Sequence, residues 1–160
     1  MSHERLDAIA WQTIRDRKRP KYPPRGINNG ERARDFAEVE TLARQGLSFE
    51  DAFESWLREM YLYRLESFFA VPPSSFFNPC QRAWMAGATE GLTRKLGLSI
   101  PSWVNDPEFF LDDIWDWERE ALGIFFPPEE ADKLDVRLER SDPEFRRRRV
   151  IAHLRDLIRV

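Results

Sequence analysis

Ser48-Phe49-Glu50-Asp51-Ala52-Phe53-Glu54-Ser55-Trp56-Leu57-Arg58-Glu59-Met60-Tyr61-Leu62-Tyr63 is the stretch on which the reading of the fold turns. Phe49, Phe53, Trp56, Met60 and Tyr63 recur at intervals of three and four, the period of one helix face. Leu57, Tyr61 and, further on, Phe68 make a second stripe, turned by roughly a quarter of a circle. A helix that is apolar on more than one side is one that others pack around. Ser48 with an acid at Asp51 starts it in a manner close to a capping box. The pattern predicts a central helix over residues 49–69 in an all-α fold.

The flanking sequence reads the same way. Leu6, Ile9, Ala10 and Ile14 predict a helix over 3–16 that ends before Pro20;. Ala33, Phe36, Val39 and Leu42 predict a second over 31–45, closed by Gly46. Asn78-Pro79 opens a fourth, which carries Ala83, Trp84, Ala88, Leu92 and Leu96 and stops at Gly97. Asp106-Pro107-Glu108 combines a capping side chain, an early proline and an acid, and predicts a fifth helix to about Leu122. Phe125-Phe126-Pro127-Pro128 breaks the chain, and a short helix is expected over Glu129 to Leu134. Asp135-Val136-Arg137-Leu138-Glu139 alternates and is expected to be extended. Ser141-Asp142-Pro143-Glu144 repeats the start signal ahead of a last helix to about Arg159, with Val150, Ile151, Leu154 and Ile158 inward. The expectation is a compact bundle of five to six helices around the aromatic-rich helix 49–69.

Composition agrees with a folded chain. Its 160 residues fit one domain, with residues 1–30 as an N-terminal helix and basic, Pro-rich connector and 31–160 as the main bundle;. Six Trp and twelve Phe supply rings that bury about 150–250 Å² each;. Cys80 is the single cysteine, which excludes an intrachain disulfide and a cysteine-built zinc site;. Its place at a helix start is one that lowers a thiol pKa. No stretch approaches eighteen uncharged apolar residues, and no apolar signal core follows Met1, so a cytoplasmic protein without membrane contact is expected.

The net charge of −3 hides an uneven distribution. From Asp106 to Asp135 eleven acids face only Arg119 and Lys133, a local −9. On the predicted fifth helix Asp112, Asp116 and Glu120 fall at i, i+4 and i+8, along one side. Like charges at that spacing destabilise a helix and call for an offset: a solvated face, a divalent ion, an Arg148, Arg155 and Arg159 stripe on the last helix, or a basic partner. Trp115 projects away from Phe110 and Ile114, and an exposed Trp beside charge is the composition of an interface anchor. Asp112, Trp115, Asp116 and Glu120 are therefore the candidate surface for a protein with a basic face. Arg15, Arg17, Lys18, Arg19, Lys21 and Arg25 form a basic segment; Lys18, Arg19, Lys21 and Arg25 are the alternative, a phosphate-contacting site with Tyr22 to stack a base.

Signatures of chemistry are few. The seven glycines are scattered and form no phosphate-cradling loop, and there is no His-Glu-x-x-His;. Only His3 and His153 could serve as imidazole bases, and His153 reads as a flank residue between Arg149 and Asp156. No catalytic residue, metal ligand or cofactor is expected.

Leu96-Gly97-Leu98, the connector with Pro101 and Trp103, and Ser141-Asp142-Pro143-Glu144-Phe145-Arg146-Arg147-Arg148 resemble a group of small, all-helical bacterial proteins. Members of that group are often encoded beside nucleotidyltransferase-like proteins, in arrangements suggestive of toxin–antitoxin pairs. The resemblance covers about 60 residues, from about Phe76 onward, with Pro143-Glu144-Phe145-Arg146 its most specific piece. It implies a protein-binding or regulatory role, that of the neutralising partner in a two-gene system, and no catalytic residue. An enzyme ranks behind both binding readings.

Overall fold

Capping side chains fix where the helices begin. In the computed structural model, which describes residues 2–21, 32–125, 127, 129 and 133–158, the Ser2 hydroxyl accepts from the Arg5 amide and opens α1 (His3–Asp16). Asp35 does the same for α2 (Phe36–Arg44), and Ser48 for α3 (Phe49–Tyr63). Asn78 and Gln81 form a reciprocal capping box, with Pro79 as the first residue of α4 (Pro79–Lys95);. Three short helices follow: α5 (Trp117–Glu120), α6 (Leu134–Glu139) and α7 (Pro143–Arg146). Turns of 3-10 helix at Ser102–Asn105, Pro107–Phe109 and Leu154–Leu157 join them to the rest. Among the described residues there is no strand, only an isolated parallel bridge between Trp115 and Val150. The fold is all-α, as the sequence predicts.

The helix buried on every side is α4, not α3. Every residue from Ala83 to Thr93 is buried, because Ala83, Ala86, Gly87, Ala88 and Gly91 let neighbours approach from all directions. α7 and the three 3-10 turns all pack against it. α3 packs mainly on α2 and lends its rings to an aromatic core. There Trp56, fully buried, stacks on Phe36 at 5.0 Å and meets Phe69 edge-on at 5.4 Å. Its indole N–H donates to the Phe68 carbonyl at 3.2 Å, so the polar handle of the ring is satisfied. α3 also stops at Tyr63, well short of Phe69. Arg64 turns left-handed (φ 50°), and its guanidinium donates to the carbonyls of Ile14 and Arg17. A cation placed there satisfies the exposed carbonyls at the end of α1.

Into this core α4 carries a charge. The Glu90 carboxylate accepts from Arg148 at 2.7 Å, from Arg147 at 2.7 and 3.0 Å, and from Arg94 at 2.8 Å. Arg148 is fully buried, and it also donates to the carbonyls of Glu144 and Val104, both at 2.6 Å. Burial pushes the Glu90 carboxyl up, but the hydrogen bonds and charges of Arg148 and Arg147 outweigh it and hold the group below its ordinary value;. Its contribution to stability is complete above the ordinary carboxylate pKa and is lost as pH falls through the lowered one.

Two predicted helices do not form as read. The Asp106-Pro107 start yields a single 3-10 turn, after which Phe110 is extended (φ −117°, ψ 132°). The following residues run beside the C-terminal segment: the Trp115 amide donates to the Arg149 carbonyl, and the Ile151 amide to the Trp115 carbonyl, both at 2.9 Å. The helix expected from Pro143 to Arg159 stops at Arg146. Arg149 is left-handed (φ 63°), with the Val150 amide bonded to the Phe145 carbonyl and the Arg149 amide to the Arg146 carbonyl. These are the paired bonds of a Schellman ending, here without the usual glycine. Residues 135–139, expected to be extended, lie within α6. Tyr22, Arg25 and Arg159, and half of the helix expected over Glu129 to Leu134, lie outside the described residues.

The close packing of α7 on α4 is testable at Gly87. A Cβ there would lie 2.7 Å from Phe145 Cδ1 and 3.3 Å from the Glu144 carbonyl oxygen. On helix propensity alone, Gly87→Ala stabilises by about 1 kcal/mol. Overpacking against a buried ring costs about 1–3 kcal/mol. We expect a lower urea midpoint than wild type; an equal or higher one would show that α7 does not sit this close.

Candidate functional site

Asp112, Trp115, Asp116 and Glu120 do not form a helical stripe, because only residues 117–120 of that segment are helical. Asp112 and Asp113 are exposed on a bend, and neither makes an ion pair among the described residues. Trp115 is half-buried, fixed by its backbone bonds to Arg149 and Ile151. Its indole N–H donates to the Glu120 carboxylate one turn further on. Asp116 points inward. It is buried, accepts two bonds from the Arg137 guanidinium at 2.5 and 2.7 Å, and caps α5 through the Arg119 amide. Such a two-pronged pair, removed from water, is a structural clamp between α5 and α6.

The offset to the acidic charge is therefore internal at Asp116, but it does not come from the expected arginines. Arg148 faces Glu90, and Arg155 is exposed on the 3-10 turn. What the segment does build is a groove of about 430 Å³ lined by Ile114, Trp115, Asp116, Arg119, Glu120 and Leu134. It offers an apolar floor and an indole edge, and Asp112 and Asp113 stand beside it in the chain.

Reading the chain as helices missed a second cluster. Glu118 on α5 and His153 after the Trp115–Val150 bridge come together, with the His153 imidazole 3.6 Å from the Glu118 carboxylate. Asp156 joins them from the 154–157 turn. Burial raises the carboxyl pKa of both Glu118 and Asp156, and the His153 charge works against this in each;. The signal that could have found the cluster is the acid at Glu118 beside the inward Trp117, once the C-terminal segment is extended rather than helical. Cys80, half-buried in the first turn of α4, is not activated by its place at the helix start. Burial pushes its thiol up, and the Glu120 charge adds to the effect;.

Of the basic alternative, Lys18, Arg19 and Lys21 are exposed beyond the end of α1, as is Arg17. Among the described residues, no group of three His, Cys, Asp or Glu side chains is placed to hold a metal ion. No helix among them is long and apolar enough to cross a membrane. No family model matches the chain, and neither does any curated protein or solved structure.

The two aspartates flanking the groove should separate cleanly. Asp116→Ala leaves a buried guanidinium without its partner and is expected to cost about 3–5 kcal/mol. Asp112→Ala, on an exposed side chain, should stay within about 0.5 kcal/mol of wild type. Similar losses for both in urea unfolding would contradict the inward placement of Asp116.

Proposed function

We propose that this chain is a non-catalytic protein-binding protein, and that the groove beside Trp115 receives a basic, partly apolar segment of its partner. The observation that carries the reading is the placement of Trp115. The indole is half-buried, tied to Glu120, and sits in a groove with Ile114 and Leu134, while Asp112 and Asp113 are exposed nearby without ion pairs among the described residues. A rigid aromatic anchor at a concave site with a charged rim is the arrangement in which the anchor supplies affinity and the rim charges set the association rate and partner choice. The resemblance of the C-terminal half to small bacterial proteins encoded beside nucleotidyltransferase-like proteins adds a candidate partner, the product of an adjacent gene, with this chain as its neutralising half.

The exposed basic residues Arg17, Lys18, Arg19 and Lys21 support a second reading, contact with nucleic-acid phosphates;. One experiment separates the two. The tagged chain captures its partner from the native host, and the captured protein is identified and then tested against variants. Under the first reading, Asp112→Lys with Asp113→Lys abolishes capture and leaves the far-UV CD spectrum unchanged. Lys18→Glu with Arg19→Glu leaves capture intact. Capture that survives the first pair, together with salt-sensitive nucleic-acid binding lost in the second, would transfer the function to the basic segment.

A further inference from the structure

We propose that a second site, the aromatic cavity between α3, α4, α5 and the 154–157 turn, binds a quaternary ammonium group. The cavity measures about 90 Å³. Its wall is aromatic: Phe53 and Phe49 meet Trp84 edge-on at 4.5 and 5.7 Å, and Trp117 stacks on Trp84 at 4.9 Å. The other polar lining residues are three carboxylates, Glu50, Glu54 and Asp156, and among the described residues no Lys, Arg or His lines it. Glu54 also holds Arg58 at 3.3 Å. Glu50 and Leu122 are exposed, so the cavity opens to solvent at its lip.

The chemistry selects the ligand. Ring faces attract a cation through their quadrupoles, most strongly when the cation carries little hydration. A hard metal ion needs converging oxygens, and among the described residues no three acidic side chains are placed together to hold one. A quaternary ammonium is apolar at its surface and positive throughout, which suits rings and carboxylates together. Desolvation already disfavours the ionised form of Asp156, so a bound cation stabilises a charge that the empty cavity penalises. The indole N–H groups of Trp84 and Trp117 are buried without an acceptor among the described residues. Buried indoles usually find one, and a ligand oxygen near the ammonium would serve.

Choline and its uncharged isostere 3,3-dimethylbutan-1-ol form the test, titrated separately onto the wild-type protein. Binding is followed through tryptophan fluorescence and the indole N–H resonances. Choline is expected to bind saturably, at least about tenfold tighter than the isostere, and to shift the Trp84 and Trp117 resonances. Asp156→Asn, folded by far-UV CD, should narrow that preference severalfold. A peptide carrying trimethyllysine distinguishes the source: tighter binding than choline assigns the site to a protein side chain, weaker binding to a free solute. No saturable choline binding, equal binding of the isostere, or unmoved Trp84 and Trp117 resonances overturns the proposal. The result is independent of the groove at Trp115, since choline binding requires neither Asp112 nor Asp113.

Discussion

The structure depends on a carboxylate held inside it. Glu90 lies on the most buried helix, where Arg148, Arg147 and Arg94 converge on it and the first two hold its carboxyl below its ordinary value against burial. Removing two opposite charges from water costs several kcal/mol per ion, and attraction offsets that only when geometry is good and the spare hydrogen bonds are made. Arg148 adds bonds to the carbonyls of Glu144 and Val104, and only its Nε–H is left without an acceptor among the described residues. The same contacts tie three distant pieces of chain, residues 90, 104 and 144–148, to one point. Gly87 and Gly91 make the approach possible, since a Cβ on either would lie 2.7 Å from Phe145 or from Glu144 and Leu154.

From that point the rest of the C-terminal half follows. With Arg148 turned into the core, the chain cannot continue as a regular helix, and Arg149 takes the left-handed conformation that ends it. Val150 and Ile151 then run beside Trp115, which is held by backbone bonds to Arg149 and Ile151. The next turn brings His153 and Asp156 to Glu118. The groove at Trp115 and the aromatic cavity under Trp117 are thus two faces of one rearrangement.

Much of the helical framework was legible in the sequence, because helix starts are local. Ser48 and Asn78-Pro79 start helices where they were expected to, and the apolar periodicity of residues 36–60 faces inward. The errors came from non-local causes. Small residues gave α4 no strong stripe, so the aromatic α3 looked like the centre. Residues 110–116 and 147–153 carry no glycine or proline to mark a break, and their course is set by the backbone bonds that join Trp115 to Arg149 and Ile151. The site was legible in the same measure. Asp112 is exposed as read, but Trp115, read as projecting from the core, is half-buried against it, and Asp116 read as exposed because its partner Arg137 lay in a stretch expected to be extended. Glu118 and His153 could not be associated while their segments were taken as separate helices.

The direct measurement is a double-mutant cycle on Glu90→Gln and Arg148→Met, read by urea unfolding. Each single change leaves a buried charge or donor without its main partner and is expected to cost about 3–5 kcal/mol. Together they should cost less than the sum by at least about 1 kcal/mol, the coupling of groups in direct contact. Losses that simply add, or two single variants as stable as wild type, would mean that the fold is not built around this pair.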